Sequence, residues 1–294
     1  MMDIAVALGG GGARGNSHIG VLRVLEREGF NIRAVSGTSF GGIVAGVYAA
    51  GYSSDEIEEL FSNVEQENLY GRLPSDGPAL LGTAGLHRWL DEVFGEQTFS
   101  DLKIPCAMVA VDLNSGTEII LRKGRLKDAI LATTAVPGIF PPYPIRDLEL
   151  VDGGVMNPVP VSVARELAPH LPVIAVVLSQ PPAAPSHLLS VPVPTGIPAP
   201  IFERLARLRI SQAFQIFMES VEIGNRLMTE LRLKSDNPEV IIRPHVTGIQ
   251  ILDKVKVHDV IKLGEEAAEA ALPDIRRAVS WPKRLGRFAF RRRP

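Results

Sequence analysis

A single cysteine, Cys106, leaves this 294-residue chain without an intramolecular disulfide, which suits a reducing compartment. Cys106 lies in the apolar run 106–111 and is expected to be a small core residue. Six scattered histidines and one cysteine offer no cluster with zinc spacing, so no metal is expected. Long hydrophobic runs are also lacking. None approaches the roughly 18–20 residues that span a bilayer, and no basic segment leads an apolar stretch after Met1-Met2-Asp3, so no signal peptide is read. A cytoplasmic protein is expected. Charge of one sign is scarce as well: the net charge is −2, and no global field recruits nucleic acid.

The exception is local. Residues 283–294 hold Lys283, Arg284, Arg287, Arg291, Arg292 and Arg293 and no acid, so the tail carries +6 and the rest of the chain −8. Trp281, Leu285, Phe288 and Phe290 are interleaved with these cations. Aromatics suit a bilayer interface and basic clusters suit anionic lipid. The segment 281–294 is therefore expected to hold the chain peripherally on an anionic membrane surface, on the inner face. A solvated tail is the competing reading.

The body is 46% apolar and 22% charged, enough for a sizeable core in one large α/β domain. Residues 4–8 are continuously apolar and stop at four glycines, Gly9 to Gly12, which predicts a buried parallel strand running into a glycine loop. Helical spacing over 17–28 ends at Gly29, and a second short strand is expected at 32–36. Further strands are expected at 106–113 and 117–122 as a hairpin, at 149–151, 173–178 and 240–243. Helices are expected at 42–50, from 54 after a capping box, at 86–94, 126–134, 201–233 and 258–271. This rhythm points to a mainly parallel sheet with helices on both faces. Seven prolines between 181 and 200 mark a stiff connector. The division expected is a domain over 1–272, connector included, and a basic tail over 273–294.

Two glycine turns carry the chemistry. Gly37-Thr38-Ser39-Phe40-Gly41 lies between a strand and a helix, the context in which a serine is lifted on a sharp turn toward a helix N-terminus. A turn that happens to contain serine gives the same pentapeptide. Gly9-Gly10-Gly11-Gly12-Ala13-Arg14-Gly15 is again strand, loop, helix. Consecutive glycines let backbone N–H groups share one concavity, which near a serine nucleophile would hold an oxyanion. The run also fits a dinucleotide loop through Gly10, Gly12 and Gly15. That reading wants an acid at the end of the second strand, and none lies between Phe30 and Tyr52.

A serine nucleophile needs a proton acceptor. His18 follows the glycine loop closely and is expected to pack or to support that loop. His87, His170, His187, His245 and His258 have no turn signal around them. Asp152 follows the short strand 149–151 and precedes Gly153-Gly154, so it is expected at the carboxyl end of a strand, where α/β sites collect. A plain Asp-Gly turn would read the same way.

Gly9–Gly15, Gly37–Gly41 and Asp152-Gly153-Gly154 stand in the order and spacing of the patatin-like phospholipases. His18-Ile19-Gly20-Val21-Leu22 and the run from Ala135 to Pro142 also resemble that family's internal signatures. The likeness is close over 3–180 and looser to 272. It implies a three-layer α/β/α sandwich and a Ser39–Asp152 dyad without histidine. It also implies an oxyanion hole at Gly10, Gly11, Gly12 and Arg14, a nucleophile elbow bounded by Gly37 and Gly41, and no metal or organic cofactor. The substrate implied is a lipid or simple ester. Phe40 departs from the family, in which many members carry a small residue, and it narrows the space beside the nucleophile. Two other functions compete: a catalytically silent relative that binds lipid or regulates, and a nucleotide-binding module built on the glycine loop.

Overall fold

The computed structural model describes residues 2–71, 73, 79–179 and 199–280. The tail 281–294 and connector residues 181–198 lie outside them. β1 (Met2–Leu8) shows why its sequence lacks polar alternation. Ile4, Val6 and Leu8 enter one core and Ala5 and Ala7 another, and a strand covered on both faces needs apolar side chains at every position. The first core lies under α1 (Ser17–Arg27), α2 (Phe40–Ala50) and α8 (Val257–Val279). The second lies under α6 (Val161–Leu167) and takes Leu233 from α7 (Ala199–Asp236). The result is the expected α/β/α sandwich.

Five strands run parallel in the order β8 (Val240–Ile242), β7 (Val173–Val176), β1, β2 (Phe30–Thr38), β3 (Cys106–Asp112). Two antiparallel strands then pair with β3, namely β4 (Thr117–Leu121) and β6 (Leu148–Asp152), and β5 (Tyr143–Ile145) pairs with β6. Helices α3 (Ser54–Ser62), α4 (Ala84–Phe94) and α5 (Leu126–Thr133) complete the α-helices among the described residues. Ser53 caps α3 through a reciprocal capping box with Glu56, as the sequence predicts.

α8 runs past the expected division at residue 272. It continues to Val279, through Pro273, and buries Ile275 and Ala278 in the main core. The body therefore reaches residue 279, because the apolar stripe resumes beyond the proline. Cys106 is buried as expected, and burial pushes its thiol up to about 12.

Candidate active site

The register of β3 dictates where two other strands end. β4 occupies one edge of β3 from Met108 to Asp112. β2, paired through Val109, and β6, paired from Ala110, must then share the opposite edge. They approach from opposite directions, and their carboxyl ends meet: Thr38 stands opposite Val109 and Asp152 opposite Ala110. Ser39 follows Thr38 directly, so the serine and the carboxylate converge although they lie 113 positions apart in sequence. β1 ends alongside, with Leu8 opposite Gly37, which brings the glycine loop to the same point.

Ser39 has φ 56° and ψ −130°, a conformation that costs a non-glycine residue about 1–3 kcal/mol and persists only where neighbours enforce it. The neighbours are specific. Its N–H donates to Thr133 Oγ1 at 3.0 Å, the Thr133 hydroxyl donates to the Val109 carbonyl at 2.5 Å, and the Gly42 N–H donates to the Ser39 carbonyl at 2.8 Å. Gly37 and Gly41 are there for room. A Cβ on Gly37 would lie 2.3 Å from the Gly41 carbonyl oxygen, and one on Gly41 2.3 Å from that of Leu8.

Asp152 is 5% exposed. Its Oδ1 accepts the Gly154 N–H at 2.7 Å, and its own N–H donates to the Ala135 carbonyl at 2.9 Å. Oδ2 is buried without a hydrogen bond of ordinary geometry. Burial pushes the carboxyl up to about 6, and the Ser39 hydroxyl and the Gly154 N–H pull the other way. The group is thus mostly ionised at neutral pH and is a far stronger proton acceptor than an exposed aspartate.

Among the described residues, the Gly11 and Gly12 N–H groups carry no hydrogen bond. Gly12 needs its residue type twice over: φ is +57°, and a Cβ there would sit 2.2 Å from the Ile251 carbonyl oxygen. Gly10 lies against Ser39, since a Cβ on it would come 3.2 Å from Ser39 Cβ. The rest of the loop has partners of its own. The Gly10 N–H is taken up by the Pro158 carbonyl at 2.9 Å. The Arg14 guanidinium is tied to the Ile249 carbonyl at 2.6 Å and to Glu222 at 2.9 Å. Both residues brace the loop; the N–H groups left open are those of Gly11 and Gly12.

The sequence around these turns matches a known family. The sequence profile described as Patatin-like phospholipase matches residues 6–165. The chain belongs to the patatin-like phospholipase family. An uncharacterized NTE family protein of Mycobacterium tuberculosis is 35% identical over 162 residues, covering 54% of this chain and 44% of that protein. Patatin-like phospholipase domain-containing protein 6 of Mus musculus is 31% identical over 173 residues, covering 56% of this chain and 13% of that protein. The matched region is thus less than half the length of these relatives. Among solved structures, VipD from Legionella pneumophila resembles the chain with a TM-score of 0.49 at 13% identity, covering 94% of this chain and 67% of that one.

In this patatin-like chain the surroundings of the site were only partly readable from sequence. His18 supports the glycine loop as expected: Nε2 is 2.7 Å from the Gly9 carbonyl, and burial lowers its pKa to about 4, so the ring is neutral and donates. Thr133 was missed, although its polar side chain in the otherwise apolar end of α5 is a visible signal. The segment 157–160 was missed too. The Gly10 N–H, the Thr38 hydroxyl and the Ser36 hydroxyl all donate to its carbonyls, those of Pro158, Asn157 and Pro160. It thereby ties the glycine loop, the elbow and the chain after Asp152 into one unit.

Beside Ser39 opens an apolar chamber of about 440 Å³. Ile43, Phe61 and Leu86 are among its buried lining residues, while Leu252, Lys254 and Lys256 are exposed ones. Among the described residues no group of three acids, histidines or cysteines could hold a metal ion, and no helix is long and apolar enough to cross a membrane.

Proposed function

We propose that this chain is a serine acyl hydrolase that cleaves carboxylic esters of lipids through Ser39 and Asp152. The observation that carries the reading is the meeting of β2 and β6 on one edge of β3, which sets the Ser39 hydroxyl beside the buried Asp152 carboxylate. Ser39 Oγ attacks the ester carbonyl carbon while its proton passes to Asp152. The carbonyl oxygen becomes an oxyanion that accepts hydrogen bonds from Gly11 and Gly12. The C–O bond to the alcohol then breaks, and the alcohol leaves with the proton from Asp152. Water attacks the acyl-serine, again losing its proton to Asp152, and releases the carboxylic acid and free Ser39. The neutral, buried His18 is a brace for the loop in this scheme. No metal or organic cofactor takes part. The decisive test is covalent labelling by a fluorophosphonate together with ester hydrolysis; purified, folded protein showing neither would remove the reading.

Thr133 acts through Ser39 and is a positioning residue. Thr133→Val keeps the shape but leaves the Ser39 N–H and the Val109 carbonyl unpaired in the interior, a loss of about 1–3 kcal/mol of stability. Hydrolysis should fall by about tenfold or more in kcat with little change in KM, because the nucleophile is displaced while the chamber is intact. Thr133→Ser should restore kcat. Steady-state kinetics and thermal melts of both variants check this.

The segment 281–294 supplies an anchor to anionic lipid in this reading, with about 1 kcal/mol per cation near the surface. Full-length protein should co-sediment with anionic vesicles at low salt and a chain ending at Ser280 should not. The difference should shrink at high salt, where exposed charges are screened, and on neutral vesicles.

A further inference from the structure

Within the chamber, three aromatic side chains from three successive helices form a row. Phe40 of α2 and Phe61 of α3 have ring centroids 5.6 Å apart, and Phe61 and Trp89 of α4 are stacked at the same distance with planes 30° apart. All three line the cavity that Ser39 also lines. Phe61 is the middle member and is 9% exposed. It is held from both sides by the other rings and packs into the main core, so it cannot swing aside at little cost. Phe40 is tethered to the nucleophile by one peptide bond, which fixes where the row begins.

The cavity, about 440 Å³ in volume and lined chiefly by apolar side chains, suits an acyl chain. Lys254 and Lys256 are exposed lining residues, whereas Ile43, Phe61 and Leu86 are buried ones. A chain bound at Ser39 shares the cavity with these buried apolar side chains and meets the fixed aromatic carbon of the row.

We propose that Phe61, clamped between Phe40 and Trp89, sets the length of the acyl chain that the chamber accepts. This rests on the acyl-hydrolase reading above. Longer chains are refused because the stacked rings fill the space that their terminal methylenes need, and each methylene left in water forgoes about a fourfold gain in kcat/KM.

The test uses p-nitrophenyl esters from C4 to C16 with the full-length protein. Phe61→Ala should shift the optimum to longer chains and raise the C16-to-C8 ratio of kcat/KM by about tenfold. Phe61→Trp should shift it to shorter ones. Phe61→Leu, which keeps an apolar side chain in the core, should give a smaller shift toward longer chains and serves if the alanine variant does not fold. Trp89→Ala, at a half-buried position, should move the optimum the same way by releasing the clamp. Wild-type protein inert toward every ester and unlabelled by fluorophosphonate would end the hydrolase reading itself. An active wild type whose chain-length profile is unchanged in folded Phe61→Leu and Trp89→Ala would overturn the role of Phe61 and leave the hydrolase reading intact.

Discussion

Ser39→Ala should lower ester hydrolysis by at least about a thousandfold and abolish fluorophosphonate labelling, with the fold unchanged. The size follows from chemistry: without an oxygen on Cβ no acyl-enzyme forms, and what remains is the contribution of binding and oxyanion stabilisation. The backbone predicts a second result. At φ 56° and ψ −130° the strain belongs to any residue with a Cβ, so alanine keeps it and glycine relieves it. Ser39→Gly should be as inactive as alanine yet more stable than it by on the order of 1 kcal/mol, after the greater chain entropy of glycine is subtracted. Loss of activity together with a gain in stability would identify a residue retained for chemistry against the preference of the fold. Residual hydrolysis within tenfold of wild type in Ser39→Ala would place the nucleophile elsewhere. A Ser39→Gly protein no more stable than Ser39→Ala would mean that Thr133 and Gly42 hold the turn without net cost.

The elements that sequence made legible are those whose signals are local. The apolar run at residues 4–8, ended by glycine, is β1 with little room for error, and the capping box at Ser53 is the start of α3. The serine turn and the Asp-Gly-Gly turn were readable because strained or sharp backbone demands particular residues at adjacent positions. β5 was not readable: it is three residues long, with Pro144 at its centre, and it lies at the sheet edge where proline is tolerated. α6 was hidden behind Pro158 and Pro160, whose fixed geometry reads as loop although the helix begins directly after them. The glycine loop shows the limit most sharply. Gly10 and Gly11 are indistinguishable as letters. What separates them is that the Pro158 carbonyl, 148 positions away, takes one N–H and leaves the other open. Arg14 is likewise decided by Glu222 and Ile249. The closeness of Ser39 to Asp152 belongs to the same class, since it follows from two strands sharing one edge of β3. The family resemblance named the pair, and the register explains it.

Asp152→Asn should be as damaging to hydrolysis as the loss of Ser39, about a thousandfold, because the two act as one unit and their losses do not add. Its pH behaviour distinguishes a base from a structural carboxylate. Wild-type kcat/KM should rise with pH through about 6, the value to which burial lifts Asp152, and level off above it. Removal of His18, already neutral because burial lowers its pKa to about 4, should leave that limb in place and reduce the rate far less. Stability should move in the opposite sense to activity. The folded-state pKa is raised, so the favourable contribution is that of the protonated carboxyl. It is fully present below the ordinary value of 3.8 and is lost as pH climbs through about 6. A rise from 3.8 to about 6 corresponds to about 3 kcal/mol. The stability of wild type relative to Asp152→Asn should therefore decline between pH 4 and 7.5 by up to that amount, whatever fixed offset the buried amide introduces by its own unpaired N–H groups. Denaturant melts of both proteins at several pH values measure that slope directly. A flat difference would mean that Asp152 is an ordinary, solvated carboxylate, and a rising one that it is held ionised by a partner; in either case it would not be the base. A falling difference, matched by a rising rate over the same interval, ties the cost of burying the charge to the proton transfer it serves.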